Sequence, residues 1–213
     1  MHHHANTRFT LTAVAVAVSL AIAGAAGCSK KSPTQPSGLD ALAFGDSLTF
    51  GIGASSGNGY VPVLERRIGV DIFNSGIPGN TTSDALARLN ASVLSRDPRV
   101  VIVLLGGNDL LQNVPVQTRI DNITQIVERI RADGSKVILV GVGPGVLDPF
   151  NGALPDLASR TGSTYVPDVL NGIIGNPALM FDQIHPNDAG HAIIADRIEP
   201  ALRSALAAPS LVH

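Results

Sequence analysis

Val100-Val-Ile-Val-Leu-Leu105, followed directly by Gly106-Gly-Asn-Asp109, is the stretch that decides the fold class. The first six residues are all apolar, and most of them are β-branched. An unbroken run of this length and composition is typical of a strand that is buried on both faces, as in the centre of a parallel sheet. The polar, glycine-rich segment that follows predicts a loop at the carboxyl end of this strand.

Strands and helices alternate along the chain on both sides of this run. The apolar patterns predict further strands over residues 39–44, 70–73, 137–142 and 165–166, and helices over residues 60–68, 82–94, 118–132, 154–159 and 187–206. This alternation indicates an α/β domain with a five-stranded parallel sheet and helices on both faces. Functional loops of such sheets lie beyond the carboxyl ends of the strands. The polar clusters GDS (45–47), NSG (74–76) and GGND (106–109) should therefore meet at one edge of the sheet.

Composition excludes several other classes of protein. The 213 residues carry a net charge of −2, which does not supply the basic stripe of a nucleic-acid-binding protein. Tryptophan is absent and aromatic residues make up 4%, which argues against stacking platforms for single-stranded nucleic acid. The single cysteine rules out an internal disulfide and a Cys/His cluster for structural zinc.

The first 27 residues have the organisation of a secretory signal peptide. They contain no acidic residue, Arg8 supplies positive charge, and a mostly apolar stretch ends in small residues at 25–27. The only cysteine, Cys28, follows directly, which resembles a bacterial lipoprotein signal in which the lipidated cysteine becomes the mature N-terminus. A plain signal peptide and an uncleaved anchor remain alternatives.

The segment after this leader is predicted to be a flexible tether. Residues 28–38 are polar and include Pro33 and Pro36, which leaves residues 39–213 as one domain. We therefore expect an exported protein that is lipid-anchored through Cys28 and faces the periplasm or the exterior. Ser29 after the cysteine indicates the outer membrane if the cell is Gram-negative. The protein would be secreted if Cys28 is not lipidated.

Two histidines are candidates for a catalytic base. Outside the leader and His213, only His185 and His191 remain, both within DQIHPNDAGH (182–191). In a turn, the carboxylate of Asp182 can reach Nδ1 of His185, which orients the ring and leaves Nε2 free to accept a proton. The Asp-x-x-His spacing alone also fits a helix cap beside a surface histidine. His191, within the closing helix, is interpreted as structural.

Ser47 is the best-placed nucleophile for such a base, because it follows the first strand at the expected functional edge. Acyl transfer also needs hydrogen-bond donors for the oxyanion that develops on the substrate. The backbone N–H of Ser47, the backbone N–H of Gly76 after strand two and the side-chain amide of Asn108 after strand three could supply them. Asp46 and Asp109, the neighbours of these groups, are interpreted as loop scaffolding.

Four ordered blocks carry a resemblance to a known family: GDSLT (45–49), NSGIPGNTT (74–82), GGND (106–109) and DQIHPN (182–187). Together they resemble the SGNH hydrolases, also called the GDSL esterase/lipase family, over residues 41–206. The small bacterial thioesterase, lysophospholipase and arylesterase members are the most similar. The resemblance implies a three-layer, flavodoxin-like SGNH-hydrolase fold without metal or cofactor.

The resemblance also implies the roles of individual residues. Ser47 would be the nucleophile, His185 the base and Asp182 its orienting partner, while the Ser47 N–H, Gly76 and Asn108 would form the oxyanion hole. The implied function is a serine esterase that hydrolyses short acyl, aryl or lysophospholipid-like esters through an acyl-enzyme. Its implied partners are a small acyl-ester substrate and, through the lipid anchor, a membrane, but no nucleic acid.

Other functions stay open at this stage. A carbohydrate O-deacetylase shares the same blocks, and a tethered binding module could retain the fold without turnover. Residues 53–57 match the G-x-S-x-G elbow of α/β-hydrolases around Ser55, but that elbow requires a strand before the serine and a helix after it. Residues 51–57 come close to a dinucleotide fingerprint with Asp71 as the ribose ligand. The glycine-rich loop at 141–145 is expected to flank an acyl pocket.

Overall fold

The computed structural model describes residues 1–2 and 38–208. The signal peptide predicted for residues 1–27, the lipidation site at Cys28 and the tether of residues 28–38 fall, apart from residues 1–2 and 38, outside the described residues. Within the two described ranges, no helix combines the length and the apolar character needed to span a bilayer.

Five parallel strands form one sheet in the order β2-β1-β3-β4-β5. The strands are β1 (Ala41–Gly45), β2 (Ile72–Gly76), β3 (Val100–Leu104), β4 (Lys136–Val140) and β5 (Thr164–Val166). The helices are α1 (Ser47–Phe50), α2 (Tyr60–Ile68), α3 (Thr82–Ser92), α4 (Gly107–Leu111), α5 (Val116–Ala132), α6 (Ala153–Thr161) and α7 (Asp188–Ala207). The predicted α/β class and the five-stranded parallel sheet are confirmed.

The sheet separates two apolar layers, so that the domain has three layers. Tyr60 and Leu64 of α2 pack with Ile198 of α7 on one face, against side chains such as Ile102. Helices α3, α5 and α6 pack on the other face, against side chains such as Val103. All five residues of β3 are fully buried, because successive side chains of a strand point to opposite faces and both faces are covered.

The largest difference from the predicted strands is in β2. Strand β2 starts at Ile72 and runs to Gly76, because its backbone stays paired with β1 as far as the Gly45–Gly76 pair. The polar NSG cluster therefore lies inside the strand rather than after it. Helix α3 is capped by Thr81: its hydroxyl accepts from the Asp84 N–H while the Asp84 carboxylate accepts from the Thr81 N–H, a capping box.

We expect the central strand to carry a large share of the stability. Ile102 is fully buried, so Ile102→Ala should lower the free energy of unfolding by about 2–5 kcal/mol, through lost burial and the cavity left behind. Urea denaturation measures this change. Ile77→Ala, at a residue that is 43% exposed, is the control and should change stability by less than about 0.5 kcal/mol. Equal losses for the two variants would contradict the two-sided burial of β3.

Candidate active site

Ser47 lies at the turn between β1 and α1. Asp46 caps the helix, its Oδ1 accepting a hydrogen bond from the Leu48 N–H at 3.0 Å. A Cβ at Gly45 would lie 2.0 Å from the Thr49 hydroxyl and 2.5 Å from the Leu104 carbonyl oxygen, so only glycine allows this close approach. The tight turn holds Ser47 as the first residue of α1, at the carboxyl edge of the sheet.

The structure brings Ser47, His185 and Asp182 together across the domain. Nε2 of His185 lies 3.0 Å from Ser47 Oγ, and Nδ1 lies 2.8 Å from Asp182 Oδ2. The other carboxylate oxygen of Asp182 accepts from the N–H groups of Ile184 at 2.9 Å and His185 at 2.7 Å. The hydrogen bond from the His185 ring, followed by these N–H groups, lowers the pKa of Asp182 to about 2. Asp182 is therefore ionised at neutral pH and can hold the imidazole ring in one orientation.

Asn108 stands on the other side of Ser47, near the start of α4. Its Nδ2 donates to the Asn80 carbonyl oxygen at 3.0 Å, and its contact with Asp46 Oδ2 is long, at 3.4 Å. The positive φ of Gly106, +107°, allows the chain to turn directly from β3 into this helix.

Gly76 does not offer the free N–H expected from the sequence. Its N–H donates to Asn74 Oδ1 at 2.9 Å, while Asn74 Nδ2 donates to the Thr49 carbonyl oxygen at 2.7 Å. The physical reason is that β2 is an edge strand: the Ile77 N–H faces β1 and binds the Gly45 carbonyl oxygen, so the Gly76 N–H faces away from β1, where the Asn74 side chain accepts from it. The expectation that this N–H is available to a substrate is therefore corrected.

Gly79 is a candidate donor that the sequence reasoning missed. It occupies the turn of residues 77–80, closed by a 3.2 Å hydrogen bond from the Asn80 N–H to the Ile77 carbonyl oxygen, and has φ of +80°. Within residues 38–208, the Gly79 N–H has no hydrogen-bond partner. The Asn80 carbonyl oxygen binds Asn108, so this turn lies beside Asn108. The Pro78-Gly79 dipeptide was the sequence signal for this turn.

A cavity of about 350 Å³ opens beside these groups. Ser47, Asn108 and His185 line it together with many apolar side chains: Leu48, Leu110, Leu111, Val142, Val146, Leu147, Leu170, Ile174 and Ile184. Val142 comes from the glycine-rich loop of residues 141–145, which is expected to flank an acyl pocket, and Val146 and Leu147 follow this loop directly. The reactive groups are thus next to a surface suited to a hydrocarbon chain.

The two aspartates of the site have scaffolding contacts, as interpreted from the sequence. Asp109 is fully buried and accepts from the Thr82 N–H at 2.9 Å and the Thr82 hydroxyl at 2.6 Å, which ties α4 to α3. Asp46 is 3% exposed, and burial raises its pKa to about 6 despite the Leu48 N–H and the nearby His185. An ionised Asp46 is therefore costly to bury at neutral pH.

The loop between α1 and α2 supports the segment that carries His185. His191 is fully buried: its Nδ1 accepts from the Tyr60 N–H at 3.3 Å and its Nε2 lies 3.0 Å from the Ile52 carbonyl oxygen. Burial lowers the pKa of His191. A Cβ at Gly53 would lie 2.2 Å from the Pro186 carbonyl oxygen, so this loop touches the residue that follows His185. These contacts agree with the structural interpretation of His191.

The two alternative interpretations of residues 51–57, an α/β-hydrolase elbow and a dinucleotide fingerprint, are wrong. The Ser55 hydroxyl donates to Asp188 Oδ2 at 2.6 Å, and the residues directly before it form a turn after α1 rather than a strand, so the residues around Ser55 do not form an α/β-hydrolase elbow. Asp71 comes directly before β2, at the amino edge of the sheet. A ribose-binding acid would lie at the opposite, carboxyl edge.

Comparison with known proteins places the chain in a family. Residues 43–193 match the model of the GDSL-like lipase/acylhydrolase family. The chain belongs to this family. It is 30% identical over 177 residues to esterase TesA of Pseudomonas aeruginosa, covering 78% of this chain and 88% of TesA. It is 29% identical to thioesterase 1/protease 1/lysophospholipase L1 of Escherichia coli K12, covering 73% of this chain and 79% of that protein.

Solved structures agree with the family assignment. A crystal structure of TesA superposes with a TM-score of 0.71 at 30% identity, covering 77% of this chain and 98% of the chain in that crystal structure. The SGNH-hydrolase fold expected from the four sequence blocks is confirmed, and the protein is an esterase of this family.

The buried Asp46 carboxylate predicts a pH-dependent gain in stability for Asp46→Asn. The native pKa of about 6 lies above the unfolded value of 3.8. Ionisation of Asp46 is therefore less favourable in the folded state, and its contribution to stability falls as the pH rises. The difference in free energy of unfolding between variant and wild type should rise from pH 4 to pH 7.5 by about 2–3 kcal/mol, in favour of the variant. Urea denaturation at the two pH values measures it, and the same difference at both would contradict the burial cost.

Proposed function

We propose that this protein is a serine esterase that hydrolyses carboxylic esters through an acyl-enzyme, with Ser47, His185 and Asp182 as its catalytic triad. The observation that carries the proposal is the continuous hydrogen-bonded path from Ser47 Oγ through both nitrogens of His185 to Asp182, beside an apolar cavity. A nucleophile, a base and an orienting carboxylate within hydrogen-bond reach are the requirement for this chemistry.

The proposed reaction proceeds in two halves. Ser47 Oγ attacks the ester carbonyl carbon while its proton passes to Nε2 of His185, and the carbonyl oxygen becomes an oxyanion. When the tetrahedral intermediate collapses, His185 returns the proton to the leaving alcohol, and the acyl group remains on Ser47. Water then attacks the acyl-enzyme by the same route and releases the acid. Asp182, with its pKa of about 2, stays ionised and stabilises the imidazolium that forms in each half.

The oxyanion is stabilised by donors from three loops. The Ser47 N–H has no hydrogen-bond partner among residues 38–208. The side-chain amide of Asn108 has two N–H groups but makes only one short hydrogen bond, to the Asn80 carbonyl oxygen, beside its long contact with Asp46. We assign the third donor to the Gly79 N–H in place of Gly76, because the Gly76 N–H is occupied by Asn74 and the Gly79 turn lies beside Asn108. Donors that are already in place for the oxyanion need no reorganisation during the reaction.

The cavity favours an ester with an aliphatic or aryl acyl group. Its walls are mainly leucine, isoleucine and valine, which contribute hydrophobic burial but no hydrogen bonds for sugar hydroxyls. A short acyl, aryl or lysophospholipid-like ester therefore fits better than an acetylated carbohydrate. A thioester shares the same acyl half and the same attack at the carbonyl carbon.

We further propose that the enzyme is exported and tethered to a membrane. The support is the sequence of residues 1–28, with its positive start, apolar middle, small-residue exit and following cysteine. Lipidation of Cys28 and a flexible segment over residues 28–38 would leave the domain of residues 39–213 free to meet its substrate. If Cys28 is not lipidated, the same signal would release a secreted enzyme.

A fluorophosphonate probe tests the nucleophile without assuming a substrate. The probe should label Ser47, and the label should disappear in Ser47→Ala and His185→Ala, because the hydroxyl needs the imidazole to become reactive. Peptide mapping by mass spectrometry locates the label. Ser55→Ala is the matched control and should retain it. A folded protein without any label would favour a binding module, and a label on Ser55 would contradict the proposed triad.

Asn108→Ala tests the oxyanion hole. Loss of one donor to the developing oxyanion should lower kcat by roughly 10²–10³-fold, with a smaller effect on KM, because the contact strengthens in the transition state. Steady-state hydrolysis of a short p-nitrophenyl ester gives both constants. Asn90→Ala on the exposed face of α3 is the control and should match wild type. A wild-type kcat for Asn108→Ala would remove Asn108 from the oxyanion hole.

A further inference from the structure

Arg88 of α3 joins three chain segments behind the reactive groups, without lining the cavity. Its Nη2 donates to the carbonyl oxygens of Gly45 at 2.9 Å and Ser75 at 3.0 Å, and its Nη1 lies 3.1 Å from the Ser75 hydroxyl. Its Nε donates to Asn80 Oδ1 at 2.7 Å. The guanidinium also lies 4.4 Å from the centre of the Phe44 ring. One side chain thus binds the ends of β1 and β2 and the turn of residues 77–80.

We propose that Arg88 is a positioning residue of the oxyanion hole that acts through Asn80 on Asn108. The proposal rests on the esterase function proposed above. Arg88 fixes the Asn80 side chain, the Asn80 carbonyl oxygen accepts from Asn108 Nδ2, and this bond directs the remaining N–H of Asn108 toward the oxyanion.

The turn of residues 77–80 is held at both ends by the same cation. At its start, the Ile77 N–H donates to the Gly45 carbonyl oxygen at 3.1 Å, and this oxygen also accepts from Arg88. At its end, Arg88 binds the Asn80 side chain. The same turn carries the Gly79 N–H. A displacement of the turn would therefore move two of the three proposed oxyanion donors together.

Arginine suits this position because its Nε, Nη1 and Nη2 atoms contact four acceptor oxygens on three residues. The guanidinium offers five N–H donors in a rigid fork, whereas a lysine ammonium is a compact point charge on a flexible stem. Burial lowers the pKa of Arg88, while the charge of Asp84, one turn earlier on α3, raises it. A lysine at this position could keep the positive charge, but its three donors could not make all four contacts of the guanidinium.

A double-mutant cycle between Arg88 and Asn108 tests the proposal. Arg88→Lys should lower kcat by about 10-fold with KM nearly unchanged, because only a transition-state contact is disturbed. In the Asn108→Ala background, the same substitution should lower kcat by less than about 2-fold, because residues that act through one contact are not additive. Asn80→Ala removes only the Arg88 Nε contact and should behave like Arg88→Lys. It keeps the test valid if the Arg88→Lys variant does not fold.

Arg131→Lys is the matched control for the cycle. Arg131 is also partly buried and donates to the backbone carbonyl oxygens of Thr161 and Ser135, away from the reactive groups, so its substitution should leave kcat unchanged. Equal losses from Arg88→Lys or Asn80→Ala in the wild-type and Asn108→Ala backgrounds would overturn the proposal, as would a wild-type kcat for both. These outcomes are distinct from failure of the esterase function, in which Ser47 is not labelled by the fluorophosphonate.

Discussion

The parallel pairing of β1 with β2 on one side and β3 on the other is the constraint on which the site depends. Gly45 pairs with Gly76 and with Leu104, so all three strands end at the same level. The turn into α1, the turn of residues 77–80 and the turn into α4 therefore start side by side. A one-residue slip of either neighbour would invert its side chains between the two faces, and burial of both faces of β3 opposes such a slip.

The buried carboxylate of Asp46 lowers the stability of the fold when it is ionised. Its carboxylate caps α1 and approaches Asn108, but burial raises its pKa to about 6, so the ionised form is kept in the protein at a cost. A neutral side chain could cap the helix equally well. The retained charge beside His185 is therefore consistent with a site in which local stability is given up for electrostatics around an imidazolium.

The sequence patterns predicted which side chains are buried more reliably than they predicted which backbone segments pair. The apolar run of β3 and the apolar spacing of α2 predicted these elements closely, because both patterns report which side chains face the core. The apolar pattern of β2 stops at Phe73, while its hydrogen-bonded pairing continues to Gly76 through polar residues. The sequence therefore also suggested Gly76 as an oxyanion donor, although its N–H is occupied by Asn74, because the direction of an N–H depends on strand pairing and not on side-chain chemistry.

The proposed triad residues were predictable because their types and order are distinctive, even though Ser47 and His185 are separated by 138 positions. Arg88 was not predictable, because two of its four acceptors are backbone carbonyl oxygens, which leave no mark in a sequence. An arginine within an amphipathic helix is usually interpreted as a solvated side chain. Its role became visible only after folding had placed Gly45 and Asn80, from two different segments, around one guanidinium.

The cavity and the reactive groups are supplied largely by different parts of the chain. Ser47 follows β1, the Gly79 turn follows β2, and His185 precedes α7, whereas Val142, Val146 and Leu147 follow β4 and Leu170 and Ile174 follow β5. Substitutions in the segments after β4 and β5 can therefore alter the acyl group that fits without moving the nucleophile or its base. Helix α4 is an exception, because it carries Asn108 together with Leu110 and Leu111 of the cavity wall. Leu48 and Ile184 are two more, because they adjoin Ser47 and His185 in the chain. A change of cavity shape at these positions would also disturb the proposed triad or oxyanion hole, which confines adaptation to new substrates to the other walls.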